Sequence, residues 1–129
     1  MITTDKTTYL GNPNVKRDGV DQEWTKDLIK EYKKCMKDPA YFAATYCKVI
    51  SLDKGLVPFS LYPYQEKMFK SFDDHRFNIV LACRQSGKSI SSVAYLLWYA
   101  LFHTEKTIAI LANKGATARE LLARVTLML

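Results

Sequence analysis

The stretch from Phe77 to Ser89, FNIVLACRQSGKS, constrains the fold more than any other part of the chain. A short apolar run (Phe77, Ile79, Val80, Leu81) ends in the polar loop Arg84-Gln85-Ser86-Gly87, which passes directly into Lys88-Ser89 and an apolar-periodic segment. That order predicts strand, phosphate loop and helix. Gly87 permits the backbone to curl so that successive N–H groups point inward, and the helix adds its own unpaired N–H groups and positive dipole end. A polyphosphate fits such a loop. Lys88 is expected to reach the β- and γ-phosphates, and the Ser89 hydroxyl to hold a magnesium ion bridging them. The general pattern is G-x-x-x-x-G-K-[ST], and Ala82 stands at its first glycine. The plainer alternative is a strand-turn-helix with a solvated lysine; the strict order of the three elements favours the phosphate loop.

A chain of 129 residues allows one domain with a real core. With 48% hydrophobic and 25% charged residues it has the composition of a soluble globular protein. No apolar run approaches the roughly 18 residues of a membrane span, and the start, MITTDKTTYL, lacks a basic region followed by an apolar stretch. Neither secretion nor membrane insertion is expected. Cys35, Cys47 and Cys83 are odd in number and lack C-x-x-C spacing, which points to reduced thiols and no zinc site. His75 and His103 are isolated, as ordinary surface or core histidines are.

The net charge of +6, from 19 basic and 13 acidic residues, permits a polyanionic partner without establishing one. Lys26, Lys30, Lys33, Lys34 and Lys37 share one predicted helix with Asp27 and Glu31, which reads as a solvated face.

Three regions are expected along the chain. Residues 1–22 are polar and turn-rich, and read as a flexible or draped arm. Residues 23–60 form a helical pair and a hairpin. Thr25 caps the first helix, which carries Leu28, Ile29, Tyr32, Cys35 and Met36 on one side, with Trp24 stapling its entry. Asp38 caps the second, with Pro39 at its first position. Val49 to Phe59 turns at Asp53-Lys54-Gly55. Residues 61–129 begin with a helix opened by Pro63. They continue through the strand at 77–81, the helix after Lys88 and a second apolar run, Thr107 to Ala112, and end in a helix from about Ala116. Strand, helix, strand with continuous apolar runs predicts a right-handed parallel βαβ crossover. The fold class expected is therefore α/β of the P-loop NTPase type, a parallel sheet flanked by helices, incomplete and with an amino-terminal helical and hairpin extension.

A hydrolase of this kind needs a strand ending in a carboxylate for magnesium and another acid to position water. No apolar strand followed by Asp or Glu occurs after Lys88; Glu105 and Glu120 sit in turn and helix contexts. Whether the chain alone is an enzyme is open on these grounds.

Cys83-Arg84-Gln85-Ser86-Gly87-Lys88-Ser89 resembles the deviant Walker A box of the large terminase subunit, the DNA-packaging ATPase motor of tailed phages. In that family an arginine-glutamine pair precedes the glycine-lysine step and the first glycine is commonly replaced. The wider similarity is to the T-even-like branch: a Trp-Thr helix, a tyrosine-cysteine helix ending like Tyr41 to Cys47, a Tyr-Gln element before the loop, and Ile110 to Gly115 like the second strand and its turn. It covers residues 9 to 129 approximately. The resemblance implies ATP and Mg2+ as cofactors. It implies that Tyr64 and Gln65 read adenine, that Gln85, Ser86 and Gly87 cradle phosphate with Lys88, that Ser89 holds the metal, and that Arg84 acts with Lys88 on the transferring γ-phosphate.

It further implies a longer protein whose Walker B strand, coupling motif and nuclease domain lie beyond Leu129. That protein would work in the host cytoplasm with double-stranded DNA, the portal protein and the small terminase subunit, away from any membrane. Two other readings stand beside it: a fragment of a P-loop helicase or translocase, and a nucleotide-binding module without turnover. An incomplete sheet would expose an apolar edge, an aggregation liability until covered.

Overall fold

The computed structural model describes residues 7–9, 12–21, 23–51 and 53–128. Parts of the arm expected over 1–22, namely residues 1–6, 10, 11 and 22, lie outside them, as do Leu52 and Leu129. The described part of the arm carries a short antiparallel ladder between β1 (Thr8–Tyr9) and β2 (Asn12–Lys16).

Helix α1 (Lys26–Lys37) starts where its cap dictates, with the Leu28 N–H donating to the Thr25 hydroxyl at 3.3 Å. Its stop is also the next start. Asp38 donates its N–H to Lys34 O, and its side chain accepts from the N–H groups of Ala40 and Tyr41 at 2.9 and 3.0 Å, opening α2 (Pro39–Tyr46). Phe42 and Ala43 of α2 are buried, and Cys47 just past it is 1% exposed. The chain then turns back on itself. β3 (Lys48–Ser51) pairs antiparallel with β4 (Gly55–Pro58), and Gly55 takes a left-handed φ of +69° that side chains other than glycine avoid.

Helix α3 (Pro63–Asp74) follows, then α4 (Lys88–Phe102) and α5 (Gly115–Met128). Helix α4 is the centre of the molecule and packs against α2, α3 and α5. Its sequence is apolar on more than one face, so burial on one side alone is insufficient. Ser91, Val93, Ala94, Leu97 and Trp98 are all buried. The buried Trp98 indole N–H donates to Cys35 O at 2.8 Å, which ties α4 to α1 and satisfies the one polar atom of that ring. Around it close Phe42, Phe59, Phe69 and Met128.

The parallel sheet does not form, and the P-loop NTPase fold class expected from the sequence is corrected accordingly. Among the described residues the sheets are two separate two-stranded antiparallel ladders, β1-β2 and β3-β4. Residues 77–82 and 107–112 lie outside both ladders, and no backbone hydrogen bond among the described residues joins either of them to a neighbour. Instead Asn78 of the first and Ala109, Ile110 and Leu111 of the second line a cavity of about 640 Å³ together with Val93 and Leu96 of α4. The physical reason is specific. An apolar run fixes which residues favour burial, but a parallel strand also needs a strand alongside to take its N–H and C=O groups. Without one, the run stays in water: Ile79 and Leu81 are 100% and 99% exposed, Phe77 82% and Leu111 89%.

The apolar face expected on α1 is likewise only partly covered, and so are the apolar residues of α5. Leu28, Ile29, Tyr32 and Met36 remain exposed while Cys35 is buried, and Leu122 is exposed beside a buried Met128.

Two outcomes follow from these burials. Phe69→Ala, at 1% exposure, is expected to lower unfolding free energy in urea by about 3–5 kcal/mol, whereas Leu81→Ser should stay within about 0.5 kcal/mol and reduce light scattering. A large loss for Leu81→Ser would mean that the segment is packed. Burial also pushes the Cys47 thiol up to about 12 from its ordinary 9.0. A folded-state value above the unfolded one stabilises below the unfolded pKa and is lost as pH rises through the folded one. Stability should therefore fall from pH 9 towards 12, less steeply in Cys47→Ala, as read by urea midpoints across that range.

Candidate functional site

The turn between residue 82 and α4 has the backbone of an anion cradle. Gln85 and Gly87 both take left-handed conformations, φ 60° and 76°, the backbone turn from which anion-binding concavities of N–H groups are built. Helix α4 begins immediately after Gly87, and no side chain caps it. Its first N–H groups and the positive end of its dipole are therefore available to an anion. Gln85, Ser86, Gly87, Lys88 and Ser89 line a cavity of about 330 Å³, together with Ile90 and Arg124.

Internal hydrogen bonds hold the loop in this shape. The Ser86 hydroxyl donates to Cys83 O at 2.9 Å, and the Lys88 ammonium reaches back across the loop to the same carbonyl at 2.9 Å. At the base, Gly87 O accepts from both the N–H and the hydroxyl of Ser91, each at 3.0 Å. The run leading in is pinned at its start, where Asn78 accepts from the Ser71 hydroxyl at 2.7 Å and donates to His75 O at 2.8 Å.

Tyr64 and Gln65 approach the loop from α3. The Tyr64 hydroxyl donates to Ser86 O, and its ring lies parallel to that of Tyr62 with centroids 5.8 Å apart. Gln65 is 2% exposed. Its Oε1 accepts the Tyr62 N–H at 2.8 Å, completing the start of α3, and its Nε2 makes a long contact of 3.5 Å with Gly87 O. Both ends of the amide are thus engaged within the protein, and here Gln65 positions the loop.

Of the residues singled out in the sequence, Gln85 to Ser89 come together on one cavity. Tyr64 and Gln65 support it from behind. Arg84 is exposed at the loop's edge and is not part of the cavity lining. The Ser89 hydroxyl makes no hydrogen bond among the described residues and is exposed. Arg124 is the residue that sequence reasoning missed. It comes from α5, where its only visible signal was Glu120 four residues before it, and the two pair at 2.6 Å. Among the described residues no carboxylate lines the cavity; its charged lining residues are Lys88 and Arg124, the latter paired with Glu120. No cluster of three or more metal-binding side chains occurs among the described residues. No helix there is long and apolar enough to cross a membrane. No protein-family model matches the chain.

Gly87 carries the sharpest structural requirement. A Cβ there would lie 2.7 Å from Gln65 Nε2, on a backbone whose φ already disfavours side chains. Since both ends of the Gln65 amide are held, Gly87→Ala should destabilise the fold by about 1–3 kcal/mol and open the contact with Gln65. Thermal melts check the first effect and side-chain amide NMR shifts of Gln65 the second. An alanine variant as stable as the parent, with Gln65 unmoved, would contradict the close approach.

Proposed function

We propose that the chain binds the triphosphate of ATP with Mg2+ through residues 85–89. In this reading it is the amino-terminal, ATP-binding portion of a large terminase subunit, whose complete form drives double-stranded DNA into procapsids. The observation that carries the reading is the loop: two left-handed residues, an uncapped helix start and a lysine and a serine on the same small cavity.

The chemistry follows from those groups. Lys88 now spends its charge on the neutral Cys83 carbonyl. Turning to a phosphate oxygen exchanges that acceptor for an ionised one, a bond about twice as strong. Ser89 supplies one hard oxygen ligand, which suits magnesium, since that ion completes its octahedron with phosphate oxygens and water. Bound there, magnesium would neutralise charge developing between the phosphates. Arg124, paired with Glu120, brings a second guanidinium to the cavity, and the exposed Arg84 would reach a γ-phosphate only by swinging in from outside the lining. In the complete protein the partners are DNA, the portal protein and the small subunit, in the host cytoplasm.

A nucleotide-binding role without turnover is the second reading. The cavity lining favours it for the chain by itself, because none of its members is a carboxylate that could hold magnesium or take a proton from an attacking water.

Calorimetric titration with Mg2+ and a non-hydrolysable ATP analogue, beside a hydrolysis assay, tests both. Binding without hydrolysis is expected from the chain alone; absence of binding would overturn the site. Lys88→Ala should weaken the analogue by roughly 10- to 100-fold, the loss of one charged hydrogen bond. Cys83 gives an independent readout: it is the exposed thiol, at the loop's entrance, whereas Cys35 and Cys47 are buried. Alkylation of Cys83 by iodoacetamide should slow when the analogue is bound, and an unchanged rate would argue that the ligand sits elsewhere.

A further inference from the structure

On the far side of the molecule an arc of aromatic rings surrounds a carboxylate. Trp24 meets Tyr32 edge-on with centroids 5.6 Å apart, Tyr32 meets Phe102 at 5.2 Å, Phe102 meets Phe42 at 5.5 Å, and Phe42 stacks on Tyr46 at 5.9 Å. The rings line an open cleft of about 360 Å³, and Glu31 lies within the same lining. The rim is not collapsed inward: Trp24, Tyr32 and Tyr46 are 58%, 43% and 47% exposed.

The carboxylate is held on one side only. Oε1 of Glu31 accepts from the Tyr41 hydroxyl at 2.8 Å, the Tyr46 hydroxyl at 3.1 Å and the Cys35 thiol at 3.8 Å. Oε2 accepts no hydrogen bond among the described residues, and Glu31 has no ion pair there. Lys34, one turn along, has its ammonium over the Tyr41 ring at 3.6 Å instead. Hydrogen bonds from Tyr41 above all hold the carboxyl below its ordinary 4.5, so it stays ionised at neutral pH.

Ring faces attract cations, and a fixed carboxylate with one open oxygen asks for an N–H donor carrying positive charge. The guanidinium of arginine satisfies both at once, because it is planar, stacks on rings and forks onto a carboxylate, and its stem covers apolar surface. A cleft of this volume admits one such side chain. The lysines of α1 do not line the cleft: Leu28, Glu31, Tyr32 and Cys35 share one helix face, and the exposed Lys26, Lys30, Lys33 and Lys37 fall on the opposite one.

We propose that this cleft is the docking site for a single arginine side chain of a protein partner, matched to the Glu31 carboxylate by charge and to the rings by shape. The arginine enters between Trp24 and Tyr46 and pairs with Glu31. This inference does not rest on the nucleotide reading and survives its failure.

The test is a titration of the isotopically labelled 129-residue chain, followed by amide and indole NMR shifts. The probes are the capped tripeptide Gly-Arg-Gly and its neutral isostere Gly-citrulline-Gly, which differs in the head group alone. The arginine peptide should saturate shifts at the Trp24 indole and the amides around Phe42 and Tyr46, with affinity about tenfold above the citrulline peptide. Glu31→Gln should bring the two peptides level. Equal binding of the two peptides to the unaltered chain overturns the proposal whether or not the variant folds. So do shifts confined to the lysine face, or tighter capture of butylammonium than of the arginine peptide.

Discussion

Helix α4 is the constraint on which the rest depends. A helix apolar around most of its circumference cannot rest in water, and each remaining helix of the core covers a part of it: α2 and α3 on two sides, α5 on another, and α1 through the bond from Trp98 to Cys35. Burial of that one rod sets the positions of its two ends. At one end is the loop with Lys88 and Ser89; at the other, Phe102 closes the aromatic arc.

The loop is a consequence of that placement as much as of its own sequence. Burying Ser91 and Val93 fixes the first turn, and Ser91 then holds Gly87 O with two hydrogen bonds. Gln65, fully inside α3's contact with the loop, occupies the space a Cβ at 87 would need. The glycine is therefore required twice, by its backbone angle and by its neighbour, and the neighbour is invisible until α3 is packed.

The sequence was legible where structure is local. Thr25 and Asp38 mark helix starts because a cap satisfies N–H groups within two or three residues, and Pro39 and Pro63 because a fixed φ and a missing N–H suit the first helical position. Gly55 marks the hairpin turn for a similar reason. What failed was the parallel sheet, and it failed on pairing rather than on hydrophobicity. The runs at 77–81 and 107–112 have the composition of buried strands, yet period and composition say nothing about which strand lies alongside. Arg124 was hidden for the same kind of reason, since its place beside Lys88 depends on how α5 crosses α4. Gln65 stood out in the sequence, but its burial and its double use as cap and loop support belong to tertiary structure.

The two clefts sit at opposite ends of one helix of 15 residues, about 21 Å apart along its axis at 1.5 Å per residue. That separation exceeds two Debye lengths at physiological salt, so charge at one end is largely screened from the other. Mechanical coupling would need a ligand that favours a different placement of α4. The helix is held against such movement along its length by Trp98 to Cys35 O and by the buried Val93, Ala94 and Leu97. A triphosphate at the loop would draw on N–H groups of an uncapped helix start, and an arginine in the arc on a carboxylate oxygen that accepts no hydrogen bond among the described residues. Neither would ask the helix to shift, and two such occupancies would be additive in free energy.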